Sequence, residues 1–99
     1  MSTTKEYKDY ILEQLNTIEG ITYKPMMGEY LLYYNGLLFG GIYDDRLLVK
    51  IVATNKNYNM QESIPYDGAK PMYLISDIDN QEIIKDIVLG TCKGMMNNE

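Results

Sequence analysis

The chain has 99 residues, with nine Lys and Arg against fourteen Asp and Glu and a formal net charge of −5 at pH 7. It contains no His, one Cys and ten Tyr. The absence of His excludes Ser-His-Asp and Cys-His catalysis and imidazole metal ligands, and one Cys cannot form an internal disulfide.

The length predicts a single domain over residues 1–99. An acidic chain repels phosphates, so we expect no direct nucleic-acid binding. Residues 1–6 show no basic region followed by an apolar run, and no apolar stretch approaches the ~20 residues of a membrane span. Together with the single Cys, these features predict a cytoplasmic protein that does not bind a membrane.

The first predicted element is a helix that starts at Thr3. Thr3 and Glu6 have the spacing of a capping box, in which each side chain satisfies a free backbone amide. Helical spacing then predicts a core-facing stripe, with Gln14 inside it, formed by Tyr7, Tyr10, Ile11, Leu15 and Ile18. Gly20 follows the stripe, where a left-handed cap is expected.

Residues 21–52 predict three antiparallel strands after an edge strand. The edge position follows from Pro25, which lacks the amide that a central strand needs. Asn35-Gly36 separates two β-prone runs and favours a type I′ hairpin turn. Asp44-Asp45 predicts a second turn into the next strand.

The C-terminal half predicts a last strand and a second helix. Residues 54–70 are polar and Asn-rich, with a short helix expected near residues 56–62. Residues 71–75 predict a short strand. Asp79 is the expected cap of the second helix, and Gly94, or a glycine one turn earlier, its end.

These elements predict an α+β fold with an antiparallel meander sheet of about four or five strands. We expect the N-terminal and C-terminal helices to pack together on one face of this sheet. The polar stretch over residues 54–70 shows no sign of an interdomain linker.

The two-residue turns predict which side chains share a face of the sheet. The nearly apolar face, expected beneath the helices, carries Leu31, Tyr33, Leu38, Gly40, Ile42, Leu47, Val49 and Ile51. The opposite, amphipathic face carries Tyr30, Leu32, Tyr34, Leu37, Phe39, Tyr43, Arg46, Leu48 and Lys50.

The amphipathic face is the predicted partner-binding surface, because two helices cover only one side of such a sheet. Large exposed apolar patches mark interaction sites, and Tyr with Arg is typical of interface hot spots. The candidate residues are Tyr30, Leu32, Tyr34, Phe39, Tyr43, Arg46, Leu48 and Lys50. The alternative is that residues 54–70 fold back over this face.

Other notable residues have a structural interpretation that we favour. Asp44-Asp45 and the acidic residues from Asp77 to Glu82 suit a turn and a helix start better than a metal site. Gly40-Gly41 lies within a strand, where a bulge or a close backbone approach explains it. Cys92 is expected to pack against the core, with a reactive thiol as the alternative. Glu29 is either a rim residue or an acid in a cleft.

The order of several short motifs resembles the TfoX/Sxy N-terminal domain family over residues 20–92. The matching residues are Met26-Met27-Gly28-Glu29-Tyr30, Tyr34-Asn35-Gly36, Phe39-Gly40, Asp44-Asp45, Leu47, Lys50 and Gly68-Ala69-Lys70-Pro71-Met72-Tyr73. Met27 stands where an aromatic residue is usual. The resemblance implies a small α+β domain of bacterial competence regulators that act on transcription through protein partners, without known catalytic residues. Longer members continue into a second domain.

The sequence therefore predicts a non-enzymatic protein-interaction domain with no catalytic residues, no cofactor and no metal. Its expected partner is a protein, with a second copy of the chain as one candidate. The alternative is a small enzyme or ligand-binding protein with an acidic cleft at the sheet edge, where Glu29 or Asp44 and Asp45 supply the acid.

Overall fold

The computed structural model of the protein describes residues 2–97, with side chains to Met96. Its helices and strands are α1 (Lys5–Gln14), β1 (Ile21–Met26), β2 (Glu29–Tyr34), β3 (Leu37–Ile42), β4 (Leu47–Val49), β5 (Gln61–Ser63), β6 (Met72–Ile75) and α2 (Gln81–Asn97). A short 3₁₀ helix, Ala53–Tyr58, precedes β5. The α+β prediction is confirmed.

The strands form one antiparallel sheet in the order β1-β2-β3-β4-β6-β5. The six strands slightly exceed the predicted four or five, because residues 61–63 add β5 beyond β6. The predicted edge position of β1, which contains Pro25, is confirmed. No helix within residues 2–97 has both the length and the apolar character needed to cross a membrane.

Helix α1 is capped one residue later than the sequence predicts. Thr4 is the N-cap, and its hydroxyl accepts a 3.2 Å hydrogen bond from the Tyr7 amide. The Thr3 hydroxyl is bonded elsewhere, since it donates to the Glu29 carboxylate over 2.7 Å and accepts from the Asp45 amide over 3.2 Å. The capping box predicted between Thr3 and Glu6 is therefore wrong.

The far end of α1 also differs from the prediction. The helix ends at Gln14, before the stripe does, although Gly20 has the expected positive φ of 94°. Ile11 and Leu15 are fully buried, whereas Tyr10 is 38% exposed. Gln14 is buried as well, and its side-chain amide donates a 2.8 Å hydrogen bond to the Ile78 carbonyl.

Both predicted hairpin turns are confirmed by their backbone angles. Asn35 and Gly36 have φ values of 49° and 83°, and Asp44 and Asp45 have values of 52° and 57°. Paired positive φ angles are the signature of a type I′ turn, which matches the twist of the flanking strands.

A bulge in β3 overturns part of the predicted face assignment. Tyr34 pairs with Leu37 and Tyr33 with Leu38, as expected, but Leu32 then pairs with Gly40 instead of with Phe39. Phe39 is the extra residue, and one extra residue exchanges the two faces along the rest of a strand. Leu37, Phe39 and Ile42 therefore all pack towards the helices.

Gly40 and Gly41 make this bulge possible through close backbone contacts. A Cβ atom on Gly40 would lie 2.1 Å from the Leu48 carbonyl oxygen. A Cβ atom on Gly41 would lie 2.7 Å from both the Tyr30 carbonyl oxygen and the Tyr43 ring. The predicted bulge and close approach at these glycines are confirmed.

Helix α2 begins and ends later than predicted. Its first turn is capped by Asn80, whose side-chain oxygen accepts from the Ile83 amide at 3.1 Å, rather than by Asp79. The helix also continues through Gly94 to Asn97. A Cβ atom on Gly94 would lie 2.7 Å from Val52 Cγ2, so this glycine allows close packing and does not end the helix.

Both helices pack on one face of the sheet, as predicted. The buried cluster comprises Ile11, Leu15, Ile18, Leu32, Phe39, Ile42, Leu47, Val49, Ile75, Ile84, Ile87, Val88 and Cys92. Asn55 is also fully buried, and it is bonded to the Val52 amide, the Lys50 carbonyl and the Thr91 hydroxyl. These bonds fix the chain between β4 and β5 against α2.

Candidate docking groove

Four of the eight predicted partner-binding residues lie on the helix-covered face. Leu32 and Phe39 are fully buried in the core, and Tyr30 and Tyr34 pack against it. Lys8 of α1 also lies 5.5 Å from the centre of the Tyr30 ring. The prediction that all eight residues form one surface is therefore wrong, because it rested on pairing without the bulge.

The other four predicted residues have separate environments. Leu48 is fully buried on the side away from the helices, since it alternates with the core residues Leu47 and Val49. Tyr43 and Lys50 line a groove on that side. Arg46 donates hydrogen bonds to the carbonyls of the following loop.

The groove lies on the sheet face that α1 and α2 leave uncovered, and its volume is ≈ 820 Å³. Its lining residues are Met26, Leu31, Leu38, Gly40, Tyr43, Lys50, Ile51, Tyr66, Ala69, Lys70, Pro71 and Met72. This volume falls in the range of small-molecule binding sites. Leu31 and Leu38, predicted to lie in the core, are only half-buried here.

The loop over residues 64–71 forms one wall of the groove. Arg46 holds its start through hydrogen bonds of 3.0 Å to the Ile64 carbonyl and 3.2 Å to the Pro65 carbonyl. The Tyr66 ring then packs against Tyr43 with 6.0 Å between ring centres. Part of the polar segment thus folds over this face, as one of the two sequence alternatives expected, and it leaves the groove open beside it.

Tyr43 forms the best-fixed part of the groove. Its ring lies against the bare backbone of Gly41, and only 6% of the residue is exposed. Burial, followed by the negative charge that Tyr66 and Glu29 can carry nearby, raises the pKa of the Tyr43 hydroxyl. The side chain is therefore a neutral hydrogen-bonding group at physiological pH.

The charged residues that line the groove are all cationic. Lys50 and Lys70 contribute to it, and no Asp or Glu does. In the described part of the chain, the only ion pairs join Asp9 to Lys5 and Lys8, at 3.0 and 2.8 Å. Lys50 and Lys70 therefore have no carboxylate partner within residues 2–97, although the whole chain carries a net charge of −5.

Met27 extends the apolar character beyond the groove-lining Met26. It is 97% exposed and has a positive φ of 51° in the turn between β1 and β2. A large apolar side chain gains nothing from this exposure in the isolated domain, and the left-handed conformation is unfavourable for residues other than Gly, Asn and Asp.

Two of the three acidic residues of the alternative hypothesis, Glu29 and Asp45, accept hydrogen bonds within the protein. Glu29 Oε1 accepts hydrogen bonds from the Thr3 amide at 3.1 Å and from the Asp44 amide at 2.9 Å. Asp45 Oδ1 accepts from the Thr4 amide at 2.9 Å. These carboxylates attach the N-terminal segment to the second turn.

The remaining candidate groups have structural environments. Cys92 is 1% exposed, and burial raises the pKa of its thiol to about 11, which opposes thiolate formation. Asp79 accepts a hydrogen bond from the Tyr10 hydroxyl. Within residues 2–97 no group of three Cys, Asp or Glu side chains is placed to hold a metal ion.

Most residues that build the groove were missed by sequence reasoning. Leu31 and Leu38 were assigned to the core, and Met26, Tyr66 and Met72 to no surface at all. The glycine pair in β3 was the available signal, since a bulge placed there exchanges the faces of the residues that follow it.

Fold and groove together define a small α+β domain with an uncovered, apolar sheet face. Comparison with known families shows a match to the TfoX N-terminal domain over residues 13–76. The chain belongs to the TfoX N-terminal domain family. It is also similar to an uncharacterized 12.7 kDa protein in the trpE 5′ region of Spirochaeta aurantia, with 28% identity over 80 residues, which cover 79% of this chain and 70% of that protein.

Proposed function

We propose that this protein is a non-enzymatic interaction domain that binds a protein partner in the groove and acts in transcriptional regulation in the bacterial cytoplasm. The observation that carries the proposal is the groove itself, which is apolar and lies on the face that the chain's own helices do not cover. Membership of the TfoX N-terminal domain family supports a role like that of competence regulators.

The composition of the groove favours binding over catalysis. Its floor and walls are formed by Leu, Met, Tyr and Pro side chains together with two lysines. Methionine side chains adapt to varied partners, and exposed apolar patches of this kind mark interaction sites. The carboxylates of Glu29 and Asp45, which an acid-base mechanism would use, accept hydrogen bonds from the N-terminal segment instead.

The test compares which partner proteins are captured by the wild type and by two variants of the intact protein. Leu38→Asp places a charge in the groove floor, whereas Asn57→Asp adds the same charge at an exposed site in the 3₁₀ helix. Circular dichroism first verifies that both variants fold. A partner retained by the wild type and Asn57→Asp but lost by Leu38→Asp supports the proposal. Partners retained equally by all three forms refute it.

A further inference from the structure

We infer that the occupant of the groove is a peptide segment of a partner protein that combines apolar anchor residues with acidic residues. This inference rests on the proposed function and specifies its partner. Three features of the groove favour such a peptide: the position of its two lysines, their lack of carboxylate partners within residues 2–97, and the span of its apolar floor.

The two lysines lie at the same end of the groove. Val49 pairs with Tyr73 across β4 and β6, which brings Lys50 beside Met72. Lys70 precedes Met72 by only two residues and lies on the loop wall. With no carboxylate lining the groove, these ammonium groups create a local positive potential that an acidic segment would complement.

The apolar part of the groove is wide enough for several anchor residues. Its lining residues run from Met26 in β1 to Met72 in β6, which crosses four strand spacings, or about 19 Å. An extended peptide crosses this distance in about six residues and a helix in about 13. Leu31 and Leu38 supply the half-buried floor on which apolar side chains can pack.

A second copy of the chain is a poorer occupant. Two grooves facing each other across a two-fold axis would bring Lys50 and Lys70 of both copies into one interface. The positive charges of these lysines would repel each other across the interface. Because both facing surfaces would be concave, neither would fill the apolar floor of the other. Two chains of net charge −5 also repel each other overall.

The test uses a library of random peptides about 12 residues long, which can cross the groove in either conformation. Peptides selected on the intact protein are labelled with fluorescein and titrated by fluorescence anisotropy. We compare Lys50→Glu combined with Lys70→Glu against Lys85→Glu combined with Lys93→Glu. The control pair lies at exposed positions of α2 and changes the net charge equally.

We expect the selected peptides to be rich in Asp, Glu and large apolar residues. The groove variant should weaken their binding by about tenfold and the control by less than about twofold, because the lost attraction is local. Affinity should also fall as the salt concentration rises. Neutral or basic peptides, or equal effects of both charge variants, overturn the inference.

Leu38→Asp separates this inference from the proposed function. If it abolishes peptide binding while the lysine reversals act like their control, the groove binds a partner but the acidic specificity is wrong. If it has no effect, or if no peptide is selected, both proposals fail. Light scattering that shows a dimer dissociated by Leu38→Asp identifies a second copy as the occupant and overturns the inference.

Discussion

Truncation of two adjacent residues of β3 should destabilise the protein to very different extents, because the two side chains lie on different faces of the sheet. Phe39 is fully buried in the core on the helix-covered face, whereas Leu38 is half-buried in the groove floor. Phe39→Ala and Leu38→Ala therefore test the register on which the whole account of the groove depends.

The two substitutions should lower the free energy of unfolding by amounts that differ several-fold. Removing a fully buried Phe ring leaves a cavity and typically lowers the free energy of unfolding by about 3–5 kcal/mol. Leu38 borders solvent, so its truncation encloses no cavity and should cost about 1 kcal/mol. A domain of this size has a total stability of about 5–15 kcal/mol, so Phe39→Ala can come close to unfolding it.

Urea unfolding followed by far-ultraviolet circular dichroism measures both costs. With an m-value of about 1–1.5 kcal/mol/M, the urea concentration at the midpoint of unfolding should fall by about 3 M for Phe39→Ala and by less than about 1 M for Leu38→Ala. Phe39→Leu keeps most of the apolar volume and provides a milder variant if Phe39→Ala does not fold. A larger loss for Leu38→Ala than for Phe39→Ala would refute the register.

Three further predictions concern packing and electrostatics elsewhere in the fold. Gly94→Ala should lower the free energy of unfolding, measured by thermal unfolding, by about 1–2 kcal/mol, although Ala has the better helix propensity, because the added Cβ atom would lie 2.7 Å from Val52 Cγ2. Gly90→Ala should be less harmful, since its Cβ atom would lie 3.3 Å from the nearest atom, the Thr54 carbonyl oxygen. The Cys92 thiol has a higher pKa in the folded protein than in the unfolded chain, so the unfolded chain loses this proton first as the pH rises. The free energy of unfolding should therefore fall between pH 9.0 and about 11, and this fall should be less steep in Cys92→Ser. Glu29→Gln should weaken the bond to the Asp44 amide and lower its protection in hydrogen exchange, whereas unchanged protection would contradict this role.

Local backbone chemistry was well predicted from the sequence. Asn35-Gly36 and Asp44-Asp45 adopt the positive φ angles that their residue types tolerate. Pro25 marks the edge strand correctly for a similarly local reason, since its missing amide excludes it from the interior of a sheet. Such features depend on a few neighbouring residues, which the sequence displays directly.

The groove depends on contacts between distant residues and was therefore missed. The extra residue at Phe39 shifts every later pairing of β3 with β2 by one residue and so exchanges the faces of the residues that follow it. The loop wall depends on Arg46, which reaches the carbonyls of residues 64 and 65 from another turn. The cap at Thr4 is likewise shifted because Thr3 is bonded to Glu29, 26 positions away in the sequence.

Methionine-methyl NMR with an acidic peptide selected from the library tests the central claim most directly. Met26 and Met72 line the groove, whereas Met60 and Met95 pack against the helix-covered core and serve as internal controls. The account predicts that saturating peptide shifts the methyl signals of Met26 and Met72 and leaves those of Met60 and Met95 in place. Shifts confined to Met60 and Met95 would contradict it.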